Sequence, residues 1–155
     1  MPRPSVLFVC LGNICRSPLA EAALREEAKR IGLDVEIDSA GTGGWHAGEP
    51  PDRRAIATAR KHGIDITGYR ARKVTAGDFR RFTHIVGLDF ENLADLQRLR
   101  PRDATADLSL LLDHVPGRSG EAVLDPWYGD MSDFEVTWNN VTAGAKALAA
   151  ELALP

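Results

Sequence analysis

The run Ser5 to Leu11 (SVLFVCL) limits the choice of fold more than any other stretch of this chain. It is as long as one strand and apolar on both sides, and a helical pattern opens soon after it at Ser17-Pro18. A strand with no polar side belongs inside a sheet that is covered on both faces. Ser17-Pro18 has the form of an N-cap followed by proline at the first helical position. Behind it Ala20, Leu24, Ala28 and Ile31 fall on one helical face, and Gly32 can close the helix.

The alternation continues along the chain. Val35 to Ser39 reads as a second strand, Pro51 to His62 as a helix stopped by Gly63, and His84 to Leu88 as a third strand. Asp89 to Leu99 is helical, with Leu93, Leu96 and Leu99 on one side, and Leu108 to Leu112 is a fourth strand. Asp113 to Tyr128 reads as loop. Ser132 and Glu135 have the form of a capping box, behind which Phe134, Trp138, Val141, Ala145, Leu148 and Leu152 line a last helix. The pattern predicts a three-layer α/β/α fold. In such sheets ligands gather at the carboxyl ends of the strands, which directs attention to the turn after the first one.

A chain of 155 residues suits one domain, expected here over 1–155, with a core that needs no covalent staples. The net charge of −3 argues against a general nucleic-acid binder, so any recognition of phosphate has to be local. No apolar stretch reaches the length of a membrane span, and the N-terminal run is too short for a signal peptide. The two cysteines, Cys10 and Cys15, lie in one short segment. They can neither tie distant parts together nor supply a structural zinc set, and a reduced, cytoplasmic setting is expected. His46, His62, His84 and His114 show no metal-ligand spacing and read as structural or surface groups, so neither metal nor cofactor is assigned.

The turn after the first strand reads Cys10-Leu11-Gly12-Asn13-Ile14-Cys15-Arg16-Ser17, a C-x5-R-S loop between strand and helix. A helix N-terminus offers free N–H groups and a positive dipole end. Glycine at position 12 is expected to let the amides of Leu11 through Arg16 turn inward as an anion nest. Arg16 adds a planar fork that matches two phosphate oxygens. The same field favours a thiolate at Cys10, the form that acts as nucleophile, and Ser17 can donate to the sulfur.

Val9 to Pro18 resembles the signature of the low-molecular-weight protein tyrosine phosphatases. The likeness extends to Asp38-Ser39-Ala40-Gly41-Thr42, Gly44-Trp45-His46, His62-Gly63-Ile64, Leu88-Asp89 with Asn92, and Asp125-Pro126, and covers about Val6 to Leu148. It implies a four-stranded parallel sheet of order 2-1-3-4. It also implies hydrolysis of phosphotyrosine or aryl phosphate monoesters through a phosphate carried on Cys10. Asp125, which alone would be a turn residue, is implied as the general acid. Trp45, Trp127 and Tyr128 are implied as the rim around an aryl ring, with Trp127 where the family often has Tyr. Asn13 and Ser39 are expected to brace the loop through the Asn13 amide, although a plain turn Asn is the simpler reading. The family usually carries His where this chain has Tyr69, so either Tyr69 takes over a bond to Asn13 or the network is rearranged. Cys15 is a packing residue or, as the family implies, a redox partner of Cys10.

Two other functions compete. A thioredoxin-coupled arsenate reductase of this fold needs further cysteines downstream, and none follows Cys15. A non-catalytic phosphotyrosine-binding module would be expected to lack nucleophile or acid, and both are present. Expected partners are phosphotyrosine proteins or small aryl phosphates, with no nucleic acid and no membrane, and the protein is expected as a monomer or a weak dimer.

Overall fold

A computed structural model describes residues 3–155. Strand β1 (Ser5–Cys10) is buried at every position, as a strand with no polar side has to be. The chain continues through α1 (Arg16–Ile31), β2 (Glu36–Gly41), α2 (Arg53–Lys61), the short α3 (Asp78–Arg81), β3 (His84–Gly87), α4 (Phe90–Leu99), β4 (Asp107–Leu110), a 3-10 turn (Leu111–His114) and α5 (Met131–Leu152). The four strands form one parallel sheet in the order β2-β1-β3-β4. Val6 pairs with Ile37 on one side and with His84 on the other.

Side chains alternate across β1. Val6, Phe8 and Cys10 join a core with Leu19 and Leu24 of α1 and Phe134, Val141 and Leu148 of α5. Leu7 and Val9 point the other way, into a second core with Phe79, Phe82 and Leu96. Each fully buried Leu or Phe here stabilises the fold by about 1.5–3 kcal/mol. Cys10 thus ends the central strand with its side chain on the α1/α5 face. Among the described residues no helix is long and apolar enough to cross a membrane.

Several boundaries differ from the sequence reading. The four strands are Ser5–Cys10, Glu36–Gly41, His84–Gly87 and Asp107–Leu110, so Leu111 and Leu112 lie in the 3-10 turn rather than in β4. The helix α2 starts two residues later than expected because Asp52 caps it, accepting from the Arg54 amide. The short α3 had no apolar period to announce it. The capping box of α5 is Asp130 with Asp133, not Ser132 with Glu135: Asp130 accepts from the amides of Ser132 and Asp133. Ser17 does not cap α1 either. The helix begins at Arg16 with Cys15 at the cap position and no side-chain cap, because the Ser17 hydroxyl is engaged elsewhere. Pro18 is tolerated in that first turn, where amides have no intrahelical acceptor. Gly32 ends α1 in the left-handed conformation (φ 72°), as expected.

Candidate active site

The loop from Cys10 to Arg16 sits where the central strand meets α1. Among the described residues no backbone N–H from Leu11 to Cys15 donates to another backbone group, so these amides remain available to an anion. The left-handed residue that turns the loop is Asn13 (φ 59°), not Gly12. A β-carbon on Gly12 would come within 3.1 Å of His46 Cδ2, a tight contact with that imidazole.

Three hydrogen bonds hold the Asn13 side chain in place. Its Nδ2 donates to Ser17 Oγ (2.8 Å) and to Ser39 Oγ (3.0 Å), and its Oδ1 accepts from the Arg72 amide (3.0 Å). Ser17 Oγ also lies 3.0 Å from Cys10 Sγ. With a thiolate at Cys10, the hydroxyl is the only proton carrier of that pair and donates to the sulfur. Ser39 Oγ donates in turn to buried Glu21 (2.7 Å), which Arg25 pairs from the far side at 2.8 Å. Tyr69 makes no hydrogen bond to Asn13, whose Oδ1 accepts from the Arg72 amide, and the network runs through Ser39 to Glu21 and Arg25. Burial beside Glu21 pushes the Tyr69 hydroxyl up to about 12, so it stays protonated.

Burial also raises Glu21 above the ordinary carboxylate range, against the opposing pull of Ser39 and Arg25. The sign of its contribution to stability follows from linkage. Between the ordinary value and the raised one, the folded chain holds a proton that the unfolded chain has lost. Stability from this group is therefore complete at lower pH and declines as pH rises through that window. Melting curves of the parent and Glu21→Gln from acid to neutral pH are expected to diverge there, the variant gaining on the parent as pH rises. Parallel curves would show that Glu21 does not titrate on folding.

Arg16 is 2% exposed, and a buried guanidinium left unpaired would cost several kcal/mol. Its Nη1 donates to Asp89 Oδ2 (2.6 Å) and to the Val123 carbonyl (2.9 Å). Burial alone would lower its pKa, but Cys10 and Asp89 outweigh this and hold it above the ordinary value. Both bonds use Nη1, so the Nη2 edge is left for a ligand. Asp89 reaches this position because it also caps α4, accepting from the Asn92 amide at 2.8 Å. This anchor was missed in the sequence, where its sign was the Asp-x-x-Asn cap at the end of β3.

Asp125 comes from the distant loop before α5. Its Oδ2 lies 3.8 Å from Arg16 Nη2, and its Oδ1 accepts from the Trp127 amide (3.1 Å). One carboxyl oxygen is thus tied down while the other faces the arginine fork. A cavity of about 280 Å³ opens over the loop, lined by the Cys10–Arg16 segment except Asn13, and by Trp45, His46, Asp125, Trp127 and Tyr128. Trp45, Trp127 and Tyr128 share that lining with His46. Its Nδ1 pairs with Glu49 (3.0 Å), and its ring lies 6.1 Å from that of Trp127. Trp45 lies over Gly43, where a β-carbon would sit 1.9 Å from the indole. Cys15 is buried, and burial pushes its thiol well up, with Asp52 and Cys10 adding to the effect. It therefore stays a thiol, and both cysteines are free.

Comparison with known proteins agrees with this geometry. The family model described as "Low molecular weight phosphotyrosine protein phosphatase" matches residues 5–154. A low molecular weight protein-tyrosine-phosphatase of Bacillus subtilis, YfkJ, is 40% identical over 150 residues, 96% of this chain and 95% of its own. The Schizosaccharomyces pombe low molecular weight phosphotyrosine protein phosphatase is 42% identical over 132 residues, 83% of this chain and 84% of its own. The crystal structure of Bacillus subtilis YfkJ superposes with a TM-score of 0.90 at 39% identity, covering 97% of this chain and 95% of that one.

Proposed function

The chain belongs to the low molecular weight phosphotyrosine protein phosphatase family, whose members are cysteine-dependent hydrolases, and we propose that Cys10, Arg16 and Asp125 carry out the hydrolysis of aryl phosphate monoesters here. The observation that carries the assignment is the convergence of the Cys10 sulfur, the Arg16 fork and the Asp125 carboxyl on one cavity, although they come from distant parts of the chain. The amides of Leu11, Gly12, Asn13, Ile14, Cys15 and Arg16 cradle three phosphate oxygens. The Cys10 thiolate attacks phosphorus, a sulfur–phosphorus bond forms, and the bond to the aryl oxygen breaks. Asp125 gives its proton to the departing oxygen. The resulting carboxylate then takes a proton from water, whose oxygen attacks phosphorus; inorganic phosphate leaves and the thiolate is restored. Arg16 follows the charge on the equatorial oxygens through both steps.

Asn13, Ser17 and Ser39 hold the loop in its charged-nucleophile form, and Trp45, Trp127 and Tyr128 form the slot for an aromatic ring. The apolar walls favour phosphotyrosine in proteins, or small aryl phosphates, over alkyl esters. Two free thiols suit a reducing compartment. Turnover of para-nitrophenyl phosphate and phosphotyrosine, set against phosphoserine, tests the substrate class: the aryl esters are expected to be hydrolysed and the alkyl ester scarcely. Equal turnover of all three would contradict an aryl slot.

Arg16→Lys keeps the charge but loses the two-pronged match, and a lysine amine cannot hold Asp89, Val123 and phosphate together. Activity is expected to fall by roughly 10²-fold or more. Near-parental kcat/KM would remove Arg16 from the mechanism.

A further inference from the structure

The mechanism requires Asp125 to stand within proton reach of the leaving oxygen, yet its loop has few ties to the rest of the protein. Among the described residues, the hydrogen bonds that join 124–129 to other parts of the chain all come from Arg54. Arg54 Nη1 donates to the carbonyls of Trp127 and Gly129, each at 2.9 Å. The remaining bonds in the segment are internal: the Trp127 amide to Asp125, and the Gly129 amide to Pro126.

The other end of Arg54 is fixed as firmly. Its Nε and Nη2 fork onto the two carboxyl oxygens of Asp52 at 3.0 and 3.1 Å. The guanidinium lies 4.6 Å over the Phe134 ring and 5.5 Å from that of Trp127. The Asp52 amide in turn donates to the Ile14 carbonyl at 2.8 Å, inside the phosphate loop. A bridge of three links, Ile14 to Asp52 to Arg54 to the backbone of Trp127 and Gly129, therefore joins the loop that holds the phosphate to the loop that bears the acid.

We propose that Arg54 is a positioning residue for protonation of the leaving group, setting the height of Asp125 over the phosphate loop through the carbonyls of Trp127 and Gly129. The proposal rests on Asp125 being the acid. Arginine is required because one nitrogen supplies two N–H groups, one for each carbonyl, while the rest of the fork holds Asp52. Lysine keeps the charge but cannot span all three acceptors. A small displacement of a proton donor is enough to cost large factors in rate. Phosphate itself meets the Leu11–Arg16 loop and does not touch Arg54.

The test is a series of aryl phosphates with leaving groups from acidic to basic, run on the parent, Arg54→Lys, Asp125→Asn and the double variant. Thermal melting confirms the fold, and Arg54→Ala serves as a second variant. Arg54→Lys is expected to lower kcat for phosphotyrosine by about tenfold or more, and much less for para-nitrophenyl phosphate. The inhibition constant of inorganic phosphate should stay within about twofold of the parent, since its ligands are untouched. The double variant should be no slower than Asp125→Asn alone, because both changes remove one function. A steep leaving-group dependence in Asp125→Asn beside an even loss in Arg54→Lys, or losses that multiply in the double variant, would overturn the proposal alone. An even loss in Asp125→Asn would overturn the assignment of the acid and this proposal with it.

Discussion

Cys10→Ser is expected to abolish turnover, by roughly 10⁴-fold or more, while phosphate-like anions still bind. The substitution exchanges sulfur for oxygen at the buried end of β1 and changes almost nothing else. What is lost is acidity: a serine hydroxyl stays protonated and is a poor nucleophile, whereas the proposed mechanism attacks with a thiolate. Binding survives because its parts are held independently of the sulfur. Arg16 is anchored by Asp89 and Val123, and Asn13 by Ser17, Ser39 and the Arg72 amide. Pre-steady-state turnover together with vanadate or phosphate titration measures both halves. Substantial residual turnover in the serine variant would rule out covalent catalysis at this residue.

Asp125→Asn is expected to have the second largest effect. Asparagine keeps the shape, and its carbonyl oxygen can still accept from the Trp127 amide, so the loop should not move. The proton for the leaving oxygen is gone. A basic phenolate depends on that proton far more than nitrophenolate does, so loss should grow along a leaving-group series. For phosphotyrosine it should reach about 10²–10⁴-fold if phosphoryl transfer limits the rate. Single-turnover measurement isolates that step from hydrolysis of the intermediate. Competitive inhibition by phosphate should change little. Equal losses across the series would reduce Asp125 to a shaping role and move the search for the acid to Asp89 and Glu49. Of these, Asp89 is already engaged with Arg16 and the Asn92 amide, and Glu49 with His46.

The layered fold could be read because its signals were local and redundant. An apolar β1, one-faced helices and glycines such as Gly32 each pointed to the same architecture. Helix caps were less legible, since Ser17 and Ser132 have the right chemistry but sit beside stronger competitors. Ser17 is claimed by Cys10 and Asn13, and Ser132 is itself held by Asp130. Within the site, residues of the C-x5-R-S loop could be read from physics because they are adjacent in the chain. Asp125, Trp45 and Trp127 could be named only through resemblance, because nothing in a lone Asp-Pro or Trp says which cavity it faces. Asp89 and Arg54 were the least visible. Each looks like an ordinary residue at a helix start, and its role comes from a second set of bonds, to Arg16 in one case and to Trp127 and Gly129 in the other. His46 had no metal-ligand spacing in the sequence, and in space it pairs with Glu49 and packs over Gly12.

The covalent step is tested most directly by mixing the protein with an aryl phosphate, quenching in acid within one turnover, and locating the phosphoryl group by peptide mass spectrometry. Phosphate on the peptide that contains Cys10, formed at the rate of phenol release and absent from Cys10→Ser, is the expected result. Full turnover with phosphate found on no residue, or on a residue other than Cys10, would contradict it.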